Sequence, residues 1–185
     1  MKCLVTGAAG FIGSNLVDEL LKQGHEVIGI DNFSTGNRKN LKQSLHRIKL
    51  KKIDIRNYDK LKKNNFGNKI DWVFHLAGLA DIVPSIQKPV EYIDTNVKGT
   101  LNILELFRKK KIKKFIYAAS ASCYGTPKKF PIKEDQKIDP KYPYALSKFL
   151  GEEIVMHWAK VYKMPNISLR FFNVYGPRSR TSGAY

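Results

Sequence analysis

The amino-acid sequence predicts an α/β fold, built on a doubly wound parallel sheet. Short apolar segments alternate with longer segments of helical periodicity, a pattern that is typical of repeated βα units. A glycine-rich turn directly follows the first apolar segment and leads into the first helical one. The 185 residues are enough to bury a core and few enough for one unit, so we expect a single domain over residues 1–185.

The predicted elements follow one another in regular order. An apolar run predicts a strand over residues 2–6, and apolar residues at helical spacing predict a helix over 11–23, which Gly24 ends. Residues 70–76 are apolar enough for a central strand of a parallel sheet. The other predicted strands are 26–31, 48–54, 114–119 and 166–173, and the other predicted helices are the long segments 85–110 and 142–162.

The composition is that of an ordinary globular protein, with 43% hydrophobic and 26% charged residues. No apolar run approaches the roughly 20 residues of a membrane span, and the first residues do not resemble a signal peptide. We therefore expect no membrane partner and a cytoplasmic location. Cys3 and Cys123 are expected to be buried, reduced thiols, and no Cys/His group has metal-ligand spacing, so we expect no metal.

The net charge of +17 is unusually high and is compatible with three kinds of partner: nucleic acid, an anionic membrane surface or a polyanionic ligand. Most of the basic residues are lysines scattered over loops and element ends, with few aromatic residues between them. Lysine makes point-charge contacts rather than the bidentate contacts of arginine. We therefore favour a solvated, lysine-rich surface and disfavour nucleic acid as a partner.

The glycine-rich turn is predicted to bind the pyrophosphate of a dinucleotide. Gly7 permits a tight turn, Gly10 lets the backbone approach the pyrophosphate, and Gly13 lets the helix pack close to the sheet. Asp31 ends the next predicted strand, where a carboxylate binds the adenosine ribose and repels a 2′-phosphate. These features predict a Rossmann fold that binds NAD rather than NADP. Asp54, after the third strand, either faces the adenine amino group or is a turn residue.

Tyr144 and Lys148 are predicted to form an acid/base pair, because residues four apart share one face of a helix. A tyrosine has a pKa of about 10, and a nearby ammonium group together with an oxidised nicotinamide favours the phenolate. Tyr144 would then take a proton from a substrate hydroxyl during redox chemistry at that carbon. Ser120 follows the fifth strand and would hydrogen-bond the reacting oxygen. The alternatives are a chance Tyr/Lys pair and a serine that caps local backbone.

Several further motifs occur in order along the chain. They are Asp31-Asn32, Asp54-Ile55, His75-Leu76-Ala77-Gly78, Asn96-Val97-x-Gly99-Thr100, the segment from Ser120 to Gly125, and the segment from Arg170 to Arg178. With the glycine-rich turn and the Tyr144/Lys148 pair, this set resembles the extended short-chain dehydrogenases/reductases. Among them it is most similar to the nucleotide-sugar epimerases that act on UDP-glucose or UDP-N-acetylglucosamine.

The resemblance implies a role for each matched residue. The catalytic residues would be Ser120, Tyr144 and Lys148. The substrate contacts would come from Ser120, Ser122, Tyr144 and Asn173. The cofactor, NAD, would be bound by Gly7, Gly10, Phe11, Ile12, Gly13, Asp31, Asn32, Asp54, Ile55, Leu76, Ala77, Gly78, Asn96, Tyr144 and Lys148.

The resemblance also implies a reaction. A UDP-sugar would be oxidised at C4, the 4-keto sugar would rotate, and the hydride would return to the other face. Ala121-Ser122 stands where the dehydratases of the family carry Asp-Glu, which argues against water elimination. Family members have roughly 120 to 150 further residues, with a C-terminal substrate domain that we expect to be absent here. They often dimerise through the two long helices, so a homodimer is also expected.

Three functional interpretations remain open at this point. The first is an NAD-dependent nucleotide-sugar 4-epimerase, or its cofactor-binding portion. The second is another NAD-dependent sugar-nucleotide oxidoreductase or decarboxylase of the same family. The third is an NAD-binding fragment without catalytic activity.

Overall fold

In the part of the chain that the structure describes, six parallel strands form one sheet in the order β3-β2-β1-β4-β5-β6. The structure, a computed structural model, describes residues 1–64, 66–67 and 69–179, so the end of the predicted domain, 180–185, lies outside the described residues. The strand order changes direction between β1 and β4, which opens a crevice at the carboxyl edge of a doubly wound sheet. The bounds are Lys2–Thr6 (β1), Glu26–Asp31 (β2), Lys49–Lys52 (β3), Trp72–His75 (β4), Lys114–Ser120 (β5) and Asn166–Phe171 (β6).

Six α-helices accompany the strands in the described part of the chain. They are Phe11–Lys22 (α1), Tyr58–Lys63 (α2), Ile82–Gln87 (α3), Pro89–Ile93 (α4), Gly99–Phe107 (α5) and Pro143–Tyr162 (α6). Within those residues, none of the helices has both the length and the apolar character that crossing a membrane requires. The short helix α2 was not predicted from the sequence, because Leu61 is its only buried residue and gives no periodic signal.

The prediction of one continuous helix over residues 85–110 is wrong. The structure has α3, α4 and α5 in this region, with a π-helical turn over Asp94–Lys98. The break between α3 and α4 lies at Lys88, whose backbone has φ −133° and ψ 56°. Its neighbour Pro89 explains this, since the proline ring clashes with a helical conformation of the preceding residue.

The core lies on both faces of the sheet. Alternate residues of a strand point to opposite faces, and β1 shows this directly. Cys3 and Val5 pack with the apolar side chains of α1, whereas Leu4 packs with those of α5 and α6. Both cysteines are buried and unpaired, as the sequence predicted, and burial raises the pKa of the Cys3 thiol to about 11.

A buried chain of hydrogen bonds joins β1, β4 and α5 below the carboxyl edge. The His75 ring lies between two hydroxyls, with Nδ1 2.7 Å from Thr6 Oγ1 and Nε2 2.9 Å from Thr100 Oγ1. Thr100 donates its proton to the Asn96 carbonyl (2.6 Å), so it must accept from Nε2–H. Thr6 accepts from the Ala77 amide (3.1 Å) and keeps its own proton for Nδ1. This arrangement requires a neutral imidazole.

This buried histidine predicts a fold that is sensitive to acid. Burial, with a smaller contribution from the Lys148 charge, lowers the pKa of His75 from 6.5 to about 3. Between these values the unfolded state binds more protons than the folded state, so the free energy of unfolding should decrease as the pH falls from 6.5 toward 3. Urea denaturation of His75→Asn should show a flatter dependence in this range. His46→Asn, at an exposed histidine, is the control. An unchanged slope in His75→Asn would contradict the neutral assignment.

Candidate active site

The predicted site segments converge on the carboxyl edge of the sheet. The glycine-rich turn follows β1, Asp31 ends β2, and the segment 76–78 follows β4. Ser120 ends β5, beside the first turn of α6, which carries Tyr144. In a doubly wound sheet, this edge is where ligands bind.

The glycine-rich turn is packed so tightly that side chains have no room. Gly7 has φ +68°, and a Cβ on it would lie 2.9 Å from the Ala77 amide nitrogen. A Cβ on Gly13 would collide with the Gly7 carbonyl oxygen. Helix α1 begins at Phe11 with no side-chain cap and no acidic residue in its first turn. Its first N–H groups are therefore available to an anion such as a pyrophosphate.

Asp31 is held in a fixed orientation at the end of β2. Its Oδ2 accepts the Ala9 amide (2.8 Å), and its Oδ1 accepts the Phe33 amide (2.7 Å). A Cβ on Gly36 would lie 2.8 Å from Oδ1, so a side chain at this position would crowd the carboxylate. Each oxygen retains a lone pair, which suits the two hydroxyls of a ribose.

Asp54 is already bound by protein groups. The Arg56 guanidinium makes a bidentate ion pair with it, and Asn32 Nδ2 donates to its Oδ2 (3.0 Å). The hydrogen bond from Arg56 is the main reason why the pKa of Asp54 falls to about 2. Asp54 and Arg56 line an open cleft of about 560 Å³. The predicted contact between Asp54 and adenine remains a prediction.

The following residue, Ile55, is buried, and its side chain fills the space that a side chain on Gly99 would need. Its carbonyl accepts a hydrogen bond from Asn102 Nδ2 (2.9 Å), which fixes the loop after β3 to α5. The backbone after β3 is thereby held in place, and the predicted contact of Ile55 with the cofactor remains a prediction.

Asn96 supports the loop after β4 from inside the protein. Its Nδ2 donates to the Leu79 carbonyl (3.0 Å) and to Ser147 Oγ (2.8 Å), and its Oδ1 accepts the Leu79 amide (2.8 Å). Both amide hydrogens are thus used, and only Oδ1 can still accept a bond from a cofactor. Asn96 lies in the π-helical turn, a distortion that is common at functional sites. Ser147 in turn donates to the Tyr144 carbonyl (2.7 Å).

Three hydroxyl groups form a connected set at the end of β5. The Tyr144 hydroxyl donates to Ser120 Oγ (3.2 Å), which also accepts the Ser122 amide (3.2 Å). The Ser120 proton therefore points to Ser122 Oγ, 2.8 Å away. If Tyr144 loses its proton, Ser120 can turn and donate to the phenolate. The structure thus brings together the predicted Ser120, Ser122 and Tyr144.

Lys148 is a buried cation next to this set of hydroxyls. The residue is 7% exposed, and burial lowers the pKa of its ammonium to about 7, while Glu152 acts in the opposite direction. In the described chain, no carboxylate lies within 4 Å of its nitrogen. A Cβ on Gly78 would lie 3.6 Å from Nζ and 2.9 Å from Asn96 Oδ1, so Gly78 leaves open the space beside Lys148.

The segment after β6 returns toward the glycine-rich turn. Asn15 Nδ2 donates to the Pro177 carbonyl (3.0 Å), and Phe11 and Ile12 form a groove of about 340 Å³ with residues 174–177. Asn173 itself is exposed, and the described residues offer it no hydrogen-bond partner. Its predicted contact to a substrate remains a prediction.

An ion pair that the sequence analysis did not identify fixes the surroundings of the site. Arg170 on β6 binds the buried Glu152 of α6 through Nε (2.9 Å) and Nη2 (2.8 Å). Its Nη1 donates to the Tyr124 hydroxyl (2.7 Å) and to the Glu134 carbonyl (3.0 Å), which holds the loop after β5. No local sequence signal indicates this pair, because its two residues lie 18 positions apart on different elements.

Comparison with known proteins agrees with this geometry. The model of the NAD dependent epimerase/dehydratase family matches residues 3–184. The chain belongs to this NAD-dependent epimerase/dehydratase family. The predicted cofactor, NAD, and the predicted doubly wound sheet are thereby confirmed.

Two curated members of the family illustrate its range. The UDP-glucose 4-epimerase of Lacticaseibacillus casei is 39% identical over 177 residues, covering 95% of this chain and 52% of that protein. The UDP-N-acetyl-alpha-D-glucosaminuronate decarboxylase of Bacillus cytotoxicus is 39% identical over 189 residues, covering 97% of this chain and 56% of that protein. The chain thus spans just over half the length of these relatives.

A solved structure of the family has nearly the same backbone. It is the UDP-glucose 4-epimerase of Thermotoga maritima, crystallised with UDP-glucose, and it matches with a TM-score of 0.92 at 35% identity. The match covers 99% of this chain and 59% of the other. The described fold is therefore that of the family over the compared region.

The space beside Gly78 predicts a specific loss of cofactor binding. In Gly78→Ala, the added methyl group would crowd the Asn96 amide and the Lys148 ammonium, so the dissociation constant for NAD should rise by about tenfold. Isothermal titration calorimetry measures this directly. Gly24→Ala is the control, because a Cβ on Gly24 would meet no atom within 4 Å. Unlike Gly78, Gly24 has positive φ (+76°), so this control also shows whether backbone strain away from the site changes the NAD affinity. Equal NAD affinity in Gly78→Ala and the wild type would refute the placement of the cofactor beside Gly78.

Proposed function

We propose that this chain carries the cofactor-binding and proton-transfer part of an NAD-dependent nucleotide-sugar 4-epimerase that acts on a UDP-hexose. The observation that supports this most strongly is the hydroxyl set at the end of β5, in which Tyr144 donates to Ser120 at 3.2 Å. The buried cation Lys148 lies on the same helix, one turn further along.

The residues of this chain would divide the chemistry between them. When bound, NAD supplies a hydride acceptor that later returns the hydride. Tyr144 takes the proton of the C4 hydroxyl, and Ser120 hydrogen-bonds the same oxygen. Lys148 stabilises the phenolate by its positive charge, and this is strong because the site is largely buried. When the hydride returns to C4, Tyr144 gives the proton back to the C4 oxygen, whichever face of the sugar receives the hydride.

The substrate class is supported by the relatives and by charge. The Thermotoga maritima enzyme was crystallised with UDP-glucose, and its fold matches this chain closely. The net charge of +17 would attract a diphosphate-linked sugar from solution. Asn173, after β6, is our candidate for a contact to that diphosphate.

A second candidate function follows from the decarboxylase relative. Oxidation of a UDP-sugar acid, followed by loss of CO₂, could use the same Tyr144 and Lys148. The third candidate is a chain that binds NAD without turnover. Product analysis separates the three, since only the decarboxylase would release CO₂ and only the epimerase would interconvert C4 epimers.

The first experiment is a proton NMR time course of the chain with NAD and a panel of UDP-hexoses. We expect C4 epimers to form with the wild type. Tyr144→Phe removes the proton acceptor and should lower the rate at least a hundredfold, while calorimetry should show NAD affinity changed by less than about twofold. Turnover that survives this substitution would overturn the role of Tyr144.

Two further outcomes decide between the candidates. NAD binding without conversion of any UDP-hexose or UDP-sugar acid would favour the non-catalytic interpretation. CO₂ release from a UDP-sugar acid, without epimerisation of UDP-hexoses, would favour the decarboxylase.

We also propose that the chain forms a homodimer through α3, α4 and α6. These helices pack against one another and expose a set of large apolar side chains. The set comprises Val83, Ile86, Val90, Leu146 and Leu150, of which Val90 is the most exposed at 72%. Exposed patches of this kind typically mark an interaction surface.

Sedimentation velocity tests the dimer. The wild type should sediment as a dimer at micromolar concentration, and Val90→Glu should shift it to the monomer by placing a charge in the interface. Phe130→Glu replaces an exposed apolar residue elsewhere and should leave the dimer intact. A monomeric wild type, or a dimer that tolerates Val90→Glu, would exclude this interface.

A further inference from the structure

The Lys148 ammonium lies over the face of an aromatic ring. Its Nζ is 4.4 Å from the centroid of the Tyr117 ring, well within the roughly 6 Å over which a ring face attracts a cation. A buried charge requires a compensating interaction, and no described carboxylate is close enough to form an ion pair with this lysine. The ring face of Tyr117 provides this compensating interaction for the Lys148 ammonium.

Tyr117 is itself fixed on every side. It lies on the interior strand β5, fully buried, opposite His75 on β4 and Ser168 on β6. Its ring centroid is 5.7 Å from that of His75, and its hydroxyl donates to the Lys148 carbonyl at 3.4 Å. Gly151 makes room for this hydroxyl, since a Cβ there would collide with it. The ring therefore cannot turn away from Lys148.

Among the described residues, the ionisable groups near Lys148 are paired with one another or neutral, so they leave the charge of Lys148 uncompensated. Burial lowers the pKa of Lys148 to about 7, and Glu152, on the same helix, opposes this. Glu152 is engaged by Arg170 from β6, and His75 from β4 is neutral because burial lowers its pKa. Tyr144, one turn earlier on the same helix, is a further titratable group in the described part of the chain. Because the pKa is already near neutrality, a modest additional interaction decides whether Lys148 carries its charge.

We propose that Tyr117 is a positioning residue that holds the Lys148 ammonium at the active site and keeps it charged around neutral pH. Tyr117 touches neither substrate nor cofactor in this role and acts through Lys148. The catalytic meaning of the role rests on the proposed function, but the contact between ring and ammonium is a property of this chain alone.

The test follows the titration of Lys148 directly. The chain is labelled with ¹³C-lysine, and the Cε resonance is recorded by NMR as a function of pH, with Lys148→Arg to identify the signal. Tyr117→Phe keeps the ring face and should leave the pKa within about 0.3 unit of the wild-type value. Tyr117→Leu removes the face and should lower the pKa by about one unit.

A graded series separates electrostatics from packing. Replacing Tyr117 with 3,4,5-trifluorophenylalanine preserves the shape of phenylalanine but removes most of the negative potential of its face. The pKa of Lys148 should then lie between the values of Tyr117→Phe and Tyr117→Leu. If Tyr117→Leu fails to fold, the comparison between phenylalanine and its fluorinated form still tests the proposal. Equal values for phenylalanine and its fluorinated form would overturn the proposal.

This readout is independent of turnover. A graded pKa in a chain that converts no UDP-sugar would refute the proposed function and leave the role of Tyr117 intact. If the chain epimerises a UDP-sugar but Lys148 titrates identically in the phenylalanine and trifluorophenylalanine variants, the role of Tyr117 is refuted and the proposed function is supported.

Discussion

The candidate active site depends on a close approach of backbone segments that only glycine allows. The turn at Gly7 touches the loop after β4, and Gly13 brings α1 against that same turn. Asn96 then holds the loop after β4 and also bonds Ser147, whose hydroxyl reaches the Tyr144 carbonyl. The glycine-rich turn and helix α6 are thus connected through close backbone contacts and hydrogen bonds, so a shift of one would displace the other.

The polar groups below the site are arranged so that few charges are left unbalanced in the core. His75 is neutral between two threonines, and Glu152 is paired with Arg170. Among the described residues, Lys148 is the exception, since it is buried without an ion pair. It is also the residue whose charge the proposed proton transfer needs. Unpaired buried charges are costly and cluster at functional sites. The structure concentrates this cost at one residue.

Local patterns predicted much of this molecule, and long-range contacts account for what they missed. The strands were found because apolar runs are contiguous, and the glycine and Tyr/Lys motifs because their spacing is short. The prediction of one long helix is wrong at Lys88, because the proline that follows keeps the Lys88 backbone out of the helical conformation. The pairs Arg170–Glu152 and Tyr117–Lys148 join residues 18 and 31 positions apart and leave no periodic trace in the sequence. Only the packed sheet and helices bring them together.

The high positive charge has structural uses that require no polyanionic partner. The edge strand β3 carries Lys49, Lys51 and Lys52, and lysines on an edge strand oppose pairing with another sheet. Lys113 pairs with Asp71, and Lys2 and Lys49 both pair with Glu26 at the amino ends of the strands. These lysines lie at the opposite end of the strands from the candidate site or along an outer edge. A groove for nucleic acid would instead require a continuous basic surface with aromatic residues for stacking. The solvated lysine surface therefore remains the better interpretation of the charge.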